Sequence, residues 1–349
     1  MKKNVALIYG GEGYEREISA LSAKNLFSLI DKALYNVFAV HIDAKGHWYT
    51  RHTPNIFDSE PSGVGTDFFE TFPAMLNGKS GLIADGDLIS VDCAIPCLHG
   101  DFGEDGRIQG ALSTAHIPYI GQDVYACAIT NDKIYAKISA EHLEIPVAKW
   151  ICSTDTSPSD LTERAEREIG YPLFIKPARL GSSFGAHPVR CKSDFISALD
   201  DALKYDERII VEELVEFDYE LECALIDSGE RIILPGGRVF SGGSFYDFHS
   251  KYSKESSPRV EAKTRDFTET EQKASEYVRR LADFIGIRHL SRFDFFVTAN
   301  GKVIFNEANT FPGMTETSLY PRLVSDACKG CSGFINMLID KVCADGRCI

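Results

Sequence analysis

Arg292-Phe-Asp-Phe-Phe-Val297, then Asn300-Gly301, then Val303-Ile-Phe-Asn-Glu-Ala-Asn309 form two strand-like runs with the strongest short hairpin signal between them. Reading Asn300-Gly301 as a two-residue turn sets Ala299 opposite Lys302. Counting outward pairs Asp294 with Glu307 and Arg292 with Asn309, and the period-two alternation of a strand puts all four side chains on one face. Two carboxylates directly opposed repel each other and weaken the pairing. A hard cation resolves that repulsion: oxygens from Asp, Glu and Asn suit Mg²⁺, completed by water and substrate phosphates. The same residues also fit a solvated polar face on which Arg292 pairs an acid. The flanking phenylalanines favour a half-buried sheet and, with it, the metal reading of Asp294, Glu307 and Asn309.

Upstream, Lys176-Pro-Ala-Arg-Leu-Gly181-Ser182-Ser183-Phe184-Gly185 offers backbone amides and hydroxyls able to wrap an anion, with a lysine at a strand end. A surface hairpin has a similar composition. Gly78-Lys79-Ser80 mimics the end of a phosphate loop, but Pro73 stands where that loop requires its first glycine. Gly10-Gly11-Glu12-Gly13-Tyr14-Glu15 follows a strand and precedes a helix without the G-x-G-x-x-G spacing of a dinucleotide site. Glu12 and Glu15 would repel a pyrophosphate; a carboxylate here suits an ammonium-bearing substrate, or else the dipole of the following helix. The loop His99-Gly100-Asp101-Phe102-Gly103-Glu104-Asp105-Gly106 carries a histidine able to meet a carboxylate or to serve the fold alone. Phe245-Tyr-Asp-Phe-His-Ser-Lys251-Tyr252, after Gly242-Gly243, has the mixture expected of a lid or of a packed loop.

The first third alternates strand and helix: Val5–Tyr9, a helix over Glu17–Leu29, then Tyr35–Ile42, Ala94–Leu98 and the short Ile117–Gly121. Such alternation predicts a parallel sheet with its loops gathered at the carboxyl ends of the strands. Ser59–Gly86 reads as irregular surface structure. Beyond Ala126 come a helix over Asp132–Ala140, a hairpin of Pro172–Lys176 with His187–Arg190, a helix near Phe195–Leu203, the strand Ile209–Val211 and a helix over Glu271–Phe284.

With 37 Lys+Arg against 51 Asp+Glu, a net charge of −14, the chain lacks the basic footprint of a general nucleic-acid binder. No stretch approaches a membrane span, and Val5–Tyr9 is too short for a signal-peptide core. The scattered cysteines, 10 in all, fit a reducing cytoplasm. Cys328 and Cys331 with Cys343 and Cys348 could be drawn as a zinc knuckle; they also fit a loop entering a final helix with incidental thiols.

Taken in order, Gly10-Gly11…Glu15-Arg16-Glu17-Ile18-Ser19, His99-Gly100…Gly103-Glu104-Asp105-Gly106, Lys176-Pro177…Gly181-Ser182-Ser183…Gly185, Arg292-Phe-Asp294 and Asn306-Glu307…Asn309-Thr310…Pro312-Gly313 resemble the motifs of D-alanine–D-alanine ligases, of the ATP-grasp superfamily. The resemblance spans nearly the whole chain. It implies an α/β fold with an N-terminal Rossmann-like domain (1–124) and a two-part ATP-grasp fold, 125–212 and 213–349, the last part with the metal site and lid. It implies that MgATP phosphorylates the carboxylate of one D-alanine and that the amine of a second displaces phosphate. Lys133, Lys176 and Ser183 are then expected on the ATP phosphates, Glu212 and Glu220 on adenine and ribose, and Asp294, Glu307 and Asn309 on two Mg²⁺ ions, with Mn²⁺ as a substitute. Glu15 is expected to orient the first D-alanine's ammonium with His99 nearby, and Glu15, Ser182 and Tyr252 to form a hydrogen-bonded triad. Lys251 is expected at the phosphoryl group, Arg292 and the Gly313 amide at the oxyanion, and Ser318 and Leu319 at the acceptor's carboxylate. The hinge Glu212–Glu220 departs from the family pattern: it is one residue longer and lacks a glycine. Lys251-Tyr252 resembles the lid of ligases with an amine acceptor, a feature shared by D-alanine and D-serine ligases. The family suggests a cytoplasmic homodimer; a non-catalytic nucleotide-binding relative is the reading from another class.

Overall fold

The computed structural model describes residues 2–57, 67–153, 158–240, 259–328 and 330–346. β1 (Lys3–Gly10), β2 (Tyr35–Ile42), β3 (Trp48–Thr50), β4 (Phe69–Leu76), β5 (Lys79–Ala84), β6 (Asp87–Ser90) and β7 (Cys93–Pro96) make a seven-stranded sheet ordered β6-β5-β4-β3-β2-β1-β7. Only β2, β1 and β7 are parallel. The continuous apolar run of β1 is buried on both faces, as a central parallel strand requires. Val5, Leu7 and Tyr9 pack with Ala23 and Leu26 of the helix Arg16–Leu29 and with Phe334, Ile335 and Leu338 of the last helix, Cys331–Asp345. Ala6 and Ile8 face the other way, into a core with Ile108 and Leu112. The C-terminal helix therefore docks on the N-terminal sheet, which brings the loops after β1 and β7 close to the end of the third sheet.

Two expectations are corrected here. Ser59–Gly86 is not irregular throughout: β4 and β5 pair antiparallel with Leu76 opposite Lys79. Asn77-Gly78, both with left-handed φ (52° and 74°), is the two-residue turn between them. The antiparallel strands β3 to β6 thus extend the parallel sheet that β1, β2 and β7 form as expected. Ile117–Gly121 forms no strand, only a bridge from Tyr119 to Ala94.

β8 (Trp150–Cys152), β9 (Leu173–Pro177), β10 (His187–Val189) and β11 (Ile209–Glu213) form an antiparallel sheet ordered β10-β9-β11-β8. Leu161, Phe195 and Leu199 from two helices share a core with its Ile175 and Val211. β12 (Tyr219–Asp227), β13 (Arg231–Phe240), β14 (Arg259–Ala262), β15 (His289–Val297) and β16 (Val303–Asn309) form the third, antiparallel sheet, ordered β14-β13-β12-β15-β16. One face is covered by the helix Glu269–Ile285 through Ala274, Val278 and Leu281. That helix starts at a capping box of Thr268 and Glu271 and stops at Gly286 in the left-handed conformation, two local signals in agreement.

The β15–β16 hairpin reaches the predicted pairing by another route. Thr298 N donates to Lys302 O and Gly301 N to Thr298 O, so the loop has three residues, and Gly301 (φ 77°) takes its left-handed position. Val297 faces Val303 and Phe295 faces Phe305; the register then shifts, so that Asp294 faces Glu307 and Arg292 faces Asn309. The extra residue, Asn306, is a β-bulge that compensates for the longer turn.

Candidate active site

Loops from all three sheets line one cleft: Gly100 and Glu104 after β7, Gly181 between β9 and β10, and Glu307, Asn309 and Thr310 at the end of β16. Lys133 enters it from the start of the helix Lys133–His142, whose N-cap, Asp132, accepts from Ile134 N.

On the third sheet, Arg292 grips Asp294 in a two-pronged ion pair, Nε to Oδ1 at 2.8 Å and Nη2 to Oδ2 at 2.6 Å. Glu222 on β12 lies 3.4 Å from the same guanidinium. Burial opposes the Arg292 charge, but Asp294, Glu222 and Glu307 outweigh it and hold the guanidinium ionised. The pairing of Arg292 with an acid, left open in the sequence, is therefore present. It does not use up the oxygens. Asn309 Nδ2 donates to Asp294 Oδ2 at 3.0 Å, which turns the side-chain Oδ1 of Asn309 toward a hard ligand. Glu307 Oε2 has the Lys133 ammonium at 3.4 Å. Among the described residues no three His, Cys, Asp or Glu side chains converge to hold a metal. The set at hand is two carboxylates and one amide, with Glu307 and Asn309 lining the cleft and Asp294 buried beside them, which fits an ion that keeps its own waters and substrate oxygens.

Behind this ledge is a buried charge cluster. Glu212 on β11 pairs with Lys137 at 2.9 Å and Lys176 at 3.0 Å, and Lys176 also donates to Asn306 of the bulge at 3.1 Å. Burial pushes the Glu212 carboxyl up, but Lys137 and Lys176 overcome it and bring it to about 2. Burial lowers the Lys137 ammonium. Glu212 is thus committed to two lysines. Lys133 donates to Leu180 O at 2.8 Å, bracing the glycine-rich turn. Glu220 lies on β12, half-buried, between Val239 and Phe296.

Opposite the ledge, Ser182 Oγ donates to the Glu15 carboxylate across the gap between the first and second sheets. Ser182 and Ser183 both have left-handed φ (52° and 61°), a strained pair of the kind that collects at ligand sites. The Glu15 carboxylate lies against Gly100 and Gly181, and a methyl group on Gly100 would overlap it. His99 is buried, with Nδ1 3.1 Å from Phe311 O and Nε2 3.0 Å from Ser22 Oγ, the structural part that the sequence left open. Burial lowers its pKa, so it is a neutral spacer joining the loop after β7 to residue 311.

At the far end, Gly313 packs against Ser318, whose hydroxyl accepts from Thr315 N at 3.1 Å. Ser318 is the N-cap of the helix Leu319–Ala327 but gives that helix no side-chain cap. First-turn amides at an uncapped helix start are suited to a carboxylate. Lys251, Tyr252 and the proposed lid lie outside the described residues. Of the cysteine group, Cys328 is buried and Cys343 Sγ donates to Asp92 O at 3.9 Å, while Cys348 lies outside the described residues.

Four residues of the site were not singled out in the sequence. Lys137 and Asn306 complete the lysine–glutamate cluster, and Glu222 faces Asp294 from β12. Glu104 accepts from Gly100 N and Phe311 N at 3.0 Å each, and burial raises its carboxyl to about 7. Its signal was present, one of three acids in a glycine-punctuated loop, but nothing local shows that Phe311 meets it.

Comparison with known proteins agrees with this geometry. Residues 4–122 match the family model described as D-ala D-ala ligase N-terminus, and residues 140–340 the one described as D-ala D-ala ligase C-terminus. A D-alanine–D-alanine ligase of Oceanobacillus iheyensis is 31% identical, over 93% of this chain and 90% of its own. One from Chlorobium phaeobacteroides is 33% identical over 96% of both chains. Among solved structures, the D-alanine-D-alanine ligase of Coxiella burnetii superposes with a TM-score of 0.85 at 28% identity, over 99% of this chain and 95% of that one. The VanG D-Ala:D-Ser ligase of Enterococcus faecalis does so with 0.86 at 29%, over 98% and 100%. The chain belongs to the D-alanine–D-alanine ligase family and has its α/β architecture, an N-terminal domain followed by an ATP-grasp fold.

Proposed function

We propose that this protein joins two D-alanines into D-alanyl-D-alanine with hydrolysis of ATP to ADP and phosphate, for peptidoglycan synthesis in the cytoplasm. A carboxylate oxygen of the first D-alanine attacks the γ-phosphorus and ADP leaves. The amine of the second then attacks the acyl carbon, loses a proton and expels phosphate. The reading is supported by one arrangement: the Glu15 carboxylate, held by Ser182, lies against Gly100 and Gly181, which line the same cleft as Glu307 and Asn309 of the acidic ledge.

Asp294, Glu307 and Asn309 would hold Mg²⁺, which supplies charge neutralisation for the phosphoryl group. Lys133, Lys176 and the Ser183 turn face the ATP phosphates, and Glu220 the ribose. Glu212 is placed at the adenine and also fixes the Lys137 and Lys176 ammonium groups. Arg292 and the Gly313 amide serve the oxyanion, Ser318 and Leu319 the acceptor's carboxylate, and Lys251 and Tyr252 close the site. We also assign three units, 1–124, 125–212 and 213–349, and a homodimer without nucleic-acid or membrane partners. No helix among the described residues is long and apolar enough to cross a membrane.

Likeness to a D-Ala:D-Ser ligase keeps a second acceptor in view. Equal D-alanine and D-serine with MgATP, products weighed by mass, separates the two. Mainly D-alanyl-D-alanine supports the proposal; mainly D-alanyl-D-serine moves the protein to the other acceptor. No dipeptide, with ATP still bound, would leave a non-catalytic nucleotide binder.

A further inference from the structure

Beside the Glu15–Ser182 hydrogen bond sits a group of three aromatic rings. Tyr14, next to Glu15, packs on Phe184, two residues after Ser182, with ring centroids 5.1 Å apart. Both rings also meet Tyr205, which follows the helix Lys192–Ala202, at 5.8 Å and 6.2 Å. Gly185 lies against the Tyr205 ring, where a Cβ would come within 2.7 Å. The rings connect the same two loops as the polar bond: the one after β1 in the first sheet and the one between β9 and β10 in the second.

Tyr14 is 59% exposed, so its ring adds little to any core. What it contacts is the far side of the gap. A hydrogen bond between two loops at a water-filled cleft contributes little by itself, because water competes for both partners. Ring contacts alongside it exclude water and reduce the freedom of both chains. The left-handed Ser182 and Ser183 need such support, because strained backbone persists only where its surroundings over-determine it.

We infer that Tyr14, Phe184 and Tyr205 form an aromatic latch that positions Glu15 and Ser182 for the first D-alanine, with Tyr14 and Phe184 as positioning residues rather than substrate contacts. This rests on the reading of Glu15 as the donor's ammonium site.

The test is a set of variants assayed for the KM of the first D-alanine, with Tm measured in parallel. Tyr14→Ala should raise that KM about three- to tenfold with Tm nearly unchanged, and Tyr14→Phe should restore it. Adding Phe184→Ala to Tyr14→Ala should raise it no further than the worse single variant, since Tyr14→Ala already removes both ring contacts that cross the gap, to Phe184 and to Tyr205. Glu15→Gln is the control. If it raises KM while Tyr14→Ala does not, or if the two alanine effects multiply, the latch is overturned. If Glu15→Gln itself leaves KM unaltered, the donor-site reading fails and the latch with it.

Discussion

Replacing Glu212 by Gln removes the one carboxylate between two buried ammonium groups, Lys137 at 2.9 Å and Lys176 at 3.0 Å. Lys137 is 1% exposed and Lys176 8%, so water cannot take over the lost charge. The fall of the Glu212 carboxyl from an ordinary 4.5 to about 2 is worth roughly 3 kcal/mol at neutral pH. Breaking a buried pair from one side typically costs about 3–5 kcal/mol, because a bare charge is left behind. Urea unfolding at pH 7 should therefore show the Gln variant less stable by roughly 3–5 kcal/mol. The pH dependence gives the sharper check. With a depressed folded pKa, the Glu212 contribution in the parent is present above about 4.5 and is lost as pH falls through about 2. In the variant the burial that lowers the Lys137 ammonium is no longer opposed by Glu212, so stability should climb as pH rises toward its unfolded value near 10. A deficit below about 1 kcal/mol, or parallel pH profiles for both proteins, would refute the buried-triad reasoning.

Other outcomes follow from the same geometry. Glu307→Gln should cut turnover and raise the Mg²⁺ concentration needed for half-activity; an unchanged rate and Mg²⁺ dependence would remove Glu307 from the ledge. Thr268→Ala, which breaks the capping box, should destabilise by about 1 kcal/mol in thermal unfolding and leave the D-alanine KM alone. Glu104, raised to about 7 by burial, favours the fold when protonated, a contribution present below about 4.5 and lost as pH rises through about 7. Carboxyl carbon NMR should find its midpoint near 7, and an ordinary midpoint would contradict the buried setting.

The same dipeptide shows what a sequence can and cannot convey. Asn77-Gly78 makes a two-residue turn in a stretch whose composition suggests irregular structure and whose Gly78-Lys79-Ser80 mimics a phosphate loop. Asn300-Gly301 was read as such a turn and belongs to a three-residue loop. The facing of Asp294 and Glu307 survived because the bulge at Asn306 offsets the longer turn. Local propensity names the hairpin; register comes from the whole sheet, including β12 on the other side of β15. Elements with strong periodic signals, such as β2 and the helix Glu269–Ile285, were legible nearly to the residue. The contacts legible in the sequence were the Glu15–Ser182 hydrogen bond and the facing of Asp294 with Glu307. Those of Lys137 and Glu104 were not, since an ordinary lysine on a helix and a loop glutamate gain their meaning only from Glu212 and Phe311, which are distant in sequence. His99 shows the same limit: its motif leaves a ligand contact or a structural part open, and only the fold shows both ring nitrogens meeting Ser22 and Phe311.

The most direct test of an acyl-phosphate ligase is to follow the oxygen. D-Alanine labelled with oxygen-18 in its carboxylate would be incubated with MgATP and the intact protein, and both products weighed by mass. The account predicts D-alanyl-D-alanine together with phosphate carrying one labelled oxygen per dipeptide formed. Unlabelled phosphate, or phosphate released at the same rate without D-alanine, would contradict it.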